Sequence, residues 1–397
     1  MSSHPTFFTS VSSRSSDFPL KLSRPALWQP LLVLLLAALL LTLNAASSLA
    51  GSELTAAGAE PASPNATFIV NDPGDAADAN TTDGLCDVDL AAPDLQCTLR
   101  AAIQEANAQP GLDAINFDLP PGSLTLQPAS PLPDVSEAAI VDASTEPGPE
   151  RNEAAIVDGD AQPGAVCPTP TVALDGVNAG TDATGLTLVL GSEGSTVRGL
   201  QIIRFDGNGI HLDHSDNHTI ACNQIGTDAA GSPLGNGTHG IYVSGSRGNS
   251  IGGTTAAERN VIGRNNIGIA LVGANSAENI VRGNYIGLAG VDQSGAPIAA
   301  NNIIGIVIDQ AQGNTVGGTA AGAGNVISGN NENGIWLDDS GNNTVQGNFI
   351  GTNATGAVAL PNGANGIVVS NSPSSPRPAS TTYKSTASQA TSRGAAR

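Results

Sequence analysis

The chain has 397 residues, enough to bury a sizeable core, with 48 Gly, 25 Pro, only 3% aromatic residues and a formal net charge of −20. Between positions 51 and 370, 34 Asp and Glu stand against 8 Arg and no Lys, a formal −26. A field of that sign repels nucleic acid and anionic membranes, so neither is expected as a partner, while it favours solubility and attracts calcium. Short apolar triplets stand where long amphipathic runs would be needed, which excludes a mainly helical protein.

At the N-terminus, Arg14, Lys21 and Arg24 precede the apolar run Leu31–Leu43, and small residues follow up to Ala50. This basic, apolar, small order is that of a secretory signal peptide over 1–50, and the run is short for a bilayer span. An uncleaved anchor is the alternative; either way the body is exported, secreted or held at the cell surface. No other membrane contact is expected, and residues 51–65 read as a linker.

Residues 66–108 read as an N-terminal cap: a strand at Phe68–Asp72, an Asp-rich loop, then CTLRAAIQEANA over 97–108. In that last stretch Leu99, Ala102, Ile103 and Ala106 share one face while Arg100, Gln104 and Glu105 are expected to face out, so it predicts an amphipathic helix ended by Pro110-Gly111. Asp78, Asn80, Asp83 and Asp87 set oxygen donors around Gly84 in a spacing like that of calcium loops. The spacing is one residue longer than D-x-[DN]-x-[DN]-G and lacks the terminal Glu. Calcium is the one cofactor the sequence suggests; a hydrated acidic turn is the alternative.

Four cysteines in an exported chain point to disulfides, with three pairings open. Cys86 with Cys97 and Cys167 with Cys222 is the pairing that joins cysteines of the same local region. Residues 109–184 read as first, irregular coils.

From 185 to 370 the chain repeats. Gly-Ile-x-hydrophobic recurs at Gly209, Gly240, Gly268, Gly305, Gly334 and Gly366, at intervals of 31, 28, 37, 29 and 32 residues. Two unit types alternate, one like NTVQGNFIGT (343–352), the other like NTVGGTAAGAGNVISGN (314–330). Each unit holds strand-sized pieces too short to stand as hairpins, so they must stack. If each unit is one turn of a coil, every strand pairs with its equivalent about 4.8 Å along. The fold class is therefore all-β, a right-handed parallel β-helix solenoid with a small N-terminal cap helix. Ile335 and Leu337 are expected inward and Trp336 outward. Asn249, Asn314 and Asn343 fall at one corner, where stacked side chains bond the turn backbone and one another. Leucine-rich repeats, the competing solenoid, need L-x-x-L-x-L and a helix per repeat, both absent.

That frame decides the stretch GIHLDHSDNHTI (209–220), which packs three of the five histidines into one coil. It aligns without a gap with 240–251, 305–316 and 334–345, placing His211 at the outward strand position of Tyr242, Val307 and Trp336, His214 in the turn and His218 at the corner Asn. A solvated turn is preferred over a metal site, since no catalytic zinc signature accompanies it. The formal G-x-S-x-G at 248–252 lacks the strand-to-helix turn that motif requires. The tail 371–397, rich in Ser, Thr, Ala and Pro and without acidic residues, reads as disordered or out of frame.

CTLRAAI (97–103), preceded by VND and DGLCD, closely resembles the CSLREA motif near the N-terminus of many exported bacterial proteins, departing at Thr98 and Ala101. The downstream units resemble right-handed β-helix proteins of the pectate-lyase-like fold. Together the resemblances cover about 66–370 and imply export and architecture; this fold hosts lyases, hydrolases, epimerases and adhesins alike. The N-T-D and R-I-K signatures of pectin hydrolases are missing, and Thr238-His239-Gly240 lacks the first Gly of G-H-G, so no catalytic residue is assigned. The reading leans to a non-catalytic cell-surface scaffold or adhesion module displaying outward Trp336, Tyr242 and His211 to extracellular polysaccharide or cell-surface components. A polysaccharide lyase or hydrolase of the same fold is the alternative. Nothing in the sequence sets the oligomeric state.

Overall fold

A computed structural model describes residues 63–147, 170–291, 297–370 and 382–384. The expected signal segment 1–50, most of the expected linker 51–65, Cys167 and most of the tail lie outside the described residues. Three long parallel sheets form the walls of a coil. The first wall runs from Thr67–Val70 through Asp113–Phe117, Ala139–Asp142 and Thr196–Arg198 to Thr344–Gln346 and Thr382–Lys384. The second runs from Thr125–Leu126 to Phe349–Ile350, and the third from Leu186–Val189 to Ile367–Ser370. The chain visits the walls in turn, so each strand pairs in parallel with its equivalent one coil away, and such crossovers wind right-handed. The pairing Leu186 with Ile210 gives the 24-residue minimal coil, and larger coils carry loops, one of them the antiparallel hairpin Leu288–Val291 with Pro297–Ala299.

Alternation places Ile241, Ile269, Ile306 and Ile335 on one inward row at 0% exposure, capped along the same strands by Val243, Leu271, Ile308 and Leu337. The glycine that opens each of these strands answers to a close approach. A Cβ at Gly240 would lie 2.7 Å from the Gly268 carbonyl oxygen and 2.7 Å from Ile262 Cγ2, so any larger residue would spread the coils.

Each of the three corners carries its own asparagine ladder. Between the third and first walls, Asn249 N–H donates to Asn279 Oδ1, Asn279 to Asn314 and Asn314 to Asn343 at 2.9–3.0 Å. Between the first and second, the order is Asn223, Asn260, Asn284, Asn325 and Asn348. Between the second and third it is Asn236, Asn265, Asn302, Asn330 and Asn362. All of these side chains but the half-buried Asn348 are buried, and all but Asn249 also donate an amide hydrogen to a carbonyl of a neighbouring coil, so polar turn backbone is satisfied without water.

The cap departs from expectation in three ways. Its strand Thr67–Val70 is itself the first rung of the first wall, paired in parallel with Asp113–Phe117. The helix Leu99–Ala108 forms as expected, with Thr98 as N-cap accepting from Ala101 N–H, but Glu105 does not face solvent. It is 0% exposed with neither carboxylate oxygen hydrogen-bonded, because the Asp-rich loop folds back over the helix face that would otherwise meet water: Asp78 N–H donates to Gln104 Oε1 at 2.9 Å. Arg100, also expected outward, is drawn in by a bidentate pair with Asp75, each bond 2.9 Å, and by the Ser130 and Pro131 carbonyls. Cys86 and Cys97 are bonded to one another, tying the loop to the helix start; Cys222 is also disulfide-bonded.

The structure gives no support to the calcium site expected at Asp78, Asn80, Asp83 and Asp87. Asp78 accepts from Asn80 and Asp87 N–H, Asp83 from Leu85 N–H and the Asn80 amide, and Asp87 from Asp89 and Gln96 N–H. The side chains are used as turn acceptors within the loop. Among the described residues no group of three His, Cys, Asp or Glu is placed to hold a metal ion.

Candidate functional site

The outward face of the third wall carries two rows of aromatic and polar side chains. His211, Tyr242, Ala270, Val307 and Trp336 occupy one register row on five consecutive rungs. Two residues further along the same strands runs a second row, Asp213, Ser244, Val272, Asp309, Asp338 and Ser370. Both rows point away from the core because strand side chains alternate and the residues between them are the buried Leu212, Val243, Leu271, Ile308 and Leu337.

At the early end the Tyr242 ring lies between two imidazoles, 4.9 Å from His211 and 4.7 Å from His239, the latter stacked at 20°. His211 Nε2 lies 3.0 Å from Ser244 Oγ, whose hydroxyl donates to Asp213 Oδ1 at 3.1 Å. Trp336 repeats this arrangement four rungs on from His211: its Nε1–H donates to Ser370 Oγ at 2.8 Å, and Ser370 donates to Asp338 Oδ1 at 2.6 Å. In both, an aromatic ring is fixed in orientation through a serine one coil away to the aspartate two residues along its own strand. Between them Ala270, Ile304 and Val307 form an apolar floor flanked by the Tyr242 and Trp336 rings.

The electrostatics are one-sided. Burial lowers the His211 pKa, and burial together with His211 lowers His239 to about 4, so both rings are neutral at pH 7. Burial pushes Asp213 up, but hydrogen bonds from His214 and Ser244 outweigh it and hold the carboxyl below its usual range. Asp309 is raised, first by burial and then by Asp338 beside it.

The fold splits the histidine cluster: His211 and His214 both approach Asp213 Oδ1, at 4.0 and 2.6 Å, while His218 is set apart. His211 stands on the outward row; His214 sits in the turn at φ 54° with its Nδ1 2.6 Å from Asp213 Oδ1; His218 is buried in the corner ladder, 1% exposed, with neither ring nitrogen hydrogen-bonded. Sequence reasoning missed the serine relays, because Ser244 and Ser370 gain meaning only from the coil before them. It also missed the second and third ladders, although the recurrent Gly-Asn before Tyr285 and Phe349 was a signal for the second.

Residues 178–377 match the family described as Periplasmic copper-binding protein (NosD), half of the chain. The chain belongs to the NosD family. The NosD match takes in the candidate face and all three ladders, while the cap helix and the Cys86–Cys97 bridge lie before it. Among solved structures the chain is similar to the periplasmic alginate epimerase AlgG, at 15% identity and a TM-score of 0.38 over 69% of this chain and 61% of that one. It is also similar to pectate lyase Pel9A, at 14% identity and a TM-score of 0.34 over 83% of this chain and 82% of that one. The chain thus spans about three fifths of the epimerase's length. No curated protein sequence matches it. The fold assignment rests on the strand register above.

Proposed function

We propose that this NosD-family chain is an exported, non-catalytic β-helix scaffold whose third wall binds polysaccharide. The observation that carries this reading is the paired display of Tyr242 and Trp336 in one outward row, each beside a Ser–Asp pair. Three rungs separate the two rings, roughly 14 Å at about 4.8 Å per rung. Sugar rings stack on aromatic faces, and the serine and aspartate oxygens are placed to accept from hydroxyls. Export is supported by the signal-like N-terminus and by the CTLRAAI resemblance, and agrees with the periplasmic description of the family.

The family description would also suggest copper. The residues present do not fit a copper centre: His218 is enclosed in the corner, and no three His, Cys, Asp or Glu side chains converge among the described residues. No role is derived through the metal.

Isothermal titration of the purified protein against a panel of hexasaccharides tests the reading. Binding that is lost in Trp336→Ala supports it, and the absence of any binding across the panel removes it. Hydrolysis is the second reading, favoured by one observation: Asp309 and Asp338 are neighbours on adjacent rungs and burial and Asp338 keep Asp309 protonated to a higher pH. Glycoside hydrolysis needs such an unequal pair of carboxyls. New reducing ends after incubation with polysaccharide would establish it.

A further inference from the structure

The outward face of the third wall is acidic as well as aromatic. Asp213, Asp309 and Asp338 project from the first, fourth and fifth of its rungs. Among the described residues neither Asp309 nor Asp338 has a basic partner, the arginine ion pairs being with Asp75, Asp142, Asp175 and Glu278. There is no Lys at all between 51 and 370, and the two imidazoles on the face are neutral. The geometry points to a polymer of amino sugars with free ammonium groups, lying along the solenoid axis across Tyr242 and Trp336, a choice that rests on the polysaccharide reading above.

Three physical arguments select this class. A polyuronate would bring one carboxylate per sugar to a wall that already holds three, inside a domain of formal charge −26 between 51 and 370. Like charges in that proximity are repelled over roughly a Debye length of about 8–10 Å. A neutral polymer could stack on the rings and donate hydroxyl hydrogens to Asp309 and Asp338, but it would leave their charge unneutralised. Ammonium groups compensate the carboxylates and are attracted to the ring faces of Trp336 and Tyr242 as well.

Spacing agrees with charge. The rungs lie about 4.8 Å apart, so an extended β-linked hexosamine chain laid along the axis would present successive sugars to successive coils. An amine can then meet Asp338 and its neighbour Asp309 while rings rest on Trp336 and, three rungs away, on Tyr242. Asp309 is already raised by burial and by Asp338, and a cation between the two relieves that repulsion. The upper row supplies the platforms and the lower row the counter-charges, on the same strands.

The test is calorimetric binding of four hexasaccharides, of glucosamine, N-acetylglucosamine, glucose and galacturonate, to the full chain and to the double variant Asp309→Asn, Asp338→Asn. Both substitutions keep the side-chain shape on an outward row, and circular dichroism of the variant checks that the coils persist. The expected result is a preference for the glucosamine hexamer of about tenfold or more over the N-acetylated one, equivalent to ~1.4 kcal/mol. That preference should disappear in the double variant. Equal or tighter binding of the acetylated, glucose or uronate hexamers overturns the amino-sugar choice and leaves the polysaccharide reading standing. Undiminished binding of glucosamine hexamer by the double variant also overturns it, since the attraction would then belong to the acidic surface in general. Binding of none of the four sinks both.

Discussion

Trp336 and Asp338, two residues apart on one strand, are joined through the next coil: the indole Nε1–H donates to Ser370 Oγ at 2.8 Å, and Ser370 donates to Asp338 Oδ1 at 2.6 Å. The ring is thereby held face-out by a residue more than thirty positions later. Ser370→Ala should release the indole and strip Asp338 of its hydroxyl donor. A red-shifted Trp336 fluorescence and weaker sugar binding are expected, with a stability loss of about 1 kcal/mol or less. Unchanged emission and affinity would show that the relay does not fix the ring.

The corner ladders predict a large asymmetry between buried and outer asparagines. Asn302 is 0% exposed; its Oδ1 accepts from Asn265 N–H and its Nδ2 donates to the Ile262 carbonyl, each at 3.1 Å. Asn302→Ala leaves both partners buried and unmet, at a cost of about 3 kcal/mol or more. The outer Asn301→Ala should stay within about 0.5 kcal/mol. Comparing the two melting temperatures checks it.

His218 interrupts the first ladder, because a ring stands where later coils carry Asn. Its main-chain N–H still donates to Asn249 Oδ1 at 2.8 Å, but its own nitrogens are buried and unbonded, and burial lowers its pKa from 6.5 to about 4. The unfolded chain therefore takes up the proton first as pH falls. Stability is complete above about 6.5 and declines towards pH 4, by up to roughly 3 kcal/mol. His218→Asn should extend the ladder and flatten that decline, which thermal melts at pH 7.5 and 4.5 will show; equal slopes in the two proteins would refute it.

Glu105 has the opposite sign. Burial, then the charges of Asp78 and Asp83, raise it to about 7 from 4.5. The folded cap therefore holds a proton that the unfolded chain releases above about 4.5, so this group's contribution is complete at acid pH and is lost as pH rises through 7, by roughly 3 kcal/mol. Glu105→Gln should raise the melting temperature at pH 8 and change little at pH 4.

Cys86 and Cys97 close a short loop over the cap helix, 11 residues apart in sequence. Replacing both by Ala should destabilise the cap by about 3 kcal/mol. The β signal of the repeats should survive, because each coil is held mainly by its two neighbours. Loss of the whole β spectrum on substitution would mean that the cap and the coils unfold as one unit.

The repeat itself was open to reading in the sequence, because stacking copies one local solution along the chain. Gly240, Ile241 and Val243 repeat at Gly334, Ile335 and Leu337 since each coil must pass the same steric and burial test against its neighbour. That period, with the inward and outward alternation, fixed the all-β solenoid and the outward place of His211, Tyr242 and Trp336. Only the tertiary structure could place what comes from different coils or from outside the repeat. Asp87 bonds the backbone where calcium was expected, Glu105 is enclosed by a loop more than twenty residues earlier, and Ser370 speaks to Trp336 across a rung. Periodicity reports which face a residue takes; its partners depend on register and on loop closure, and no local pattern encodes those.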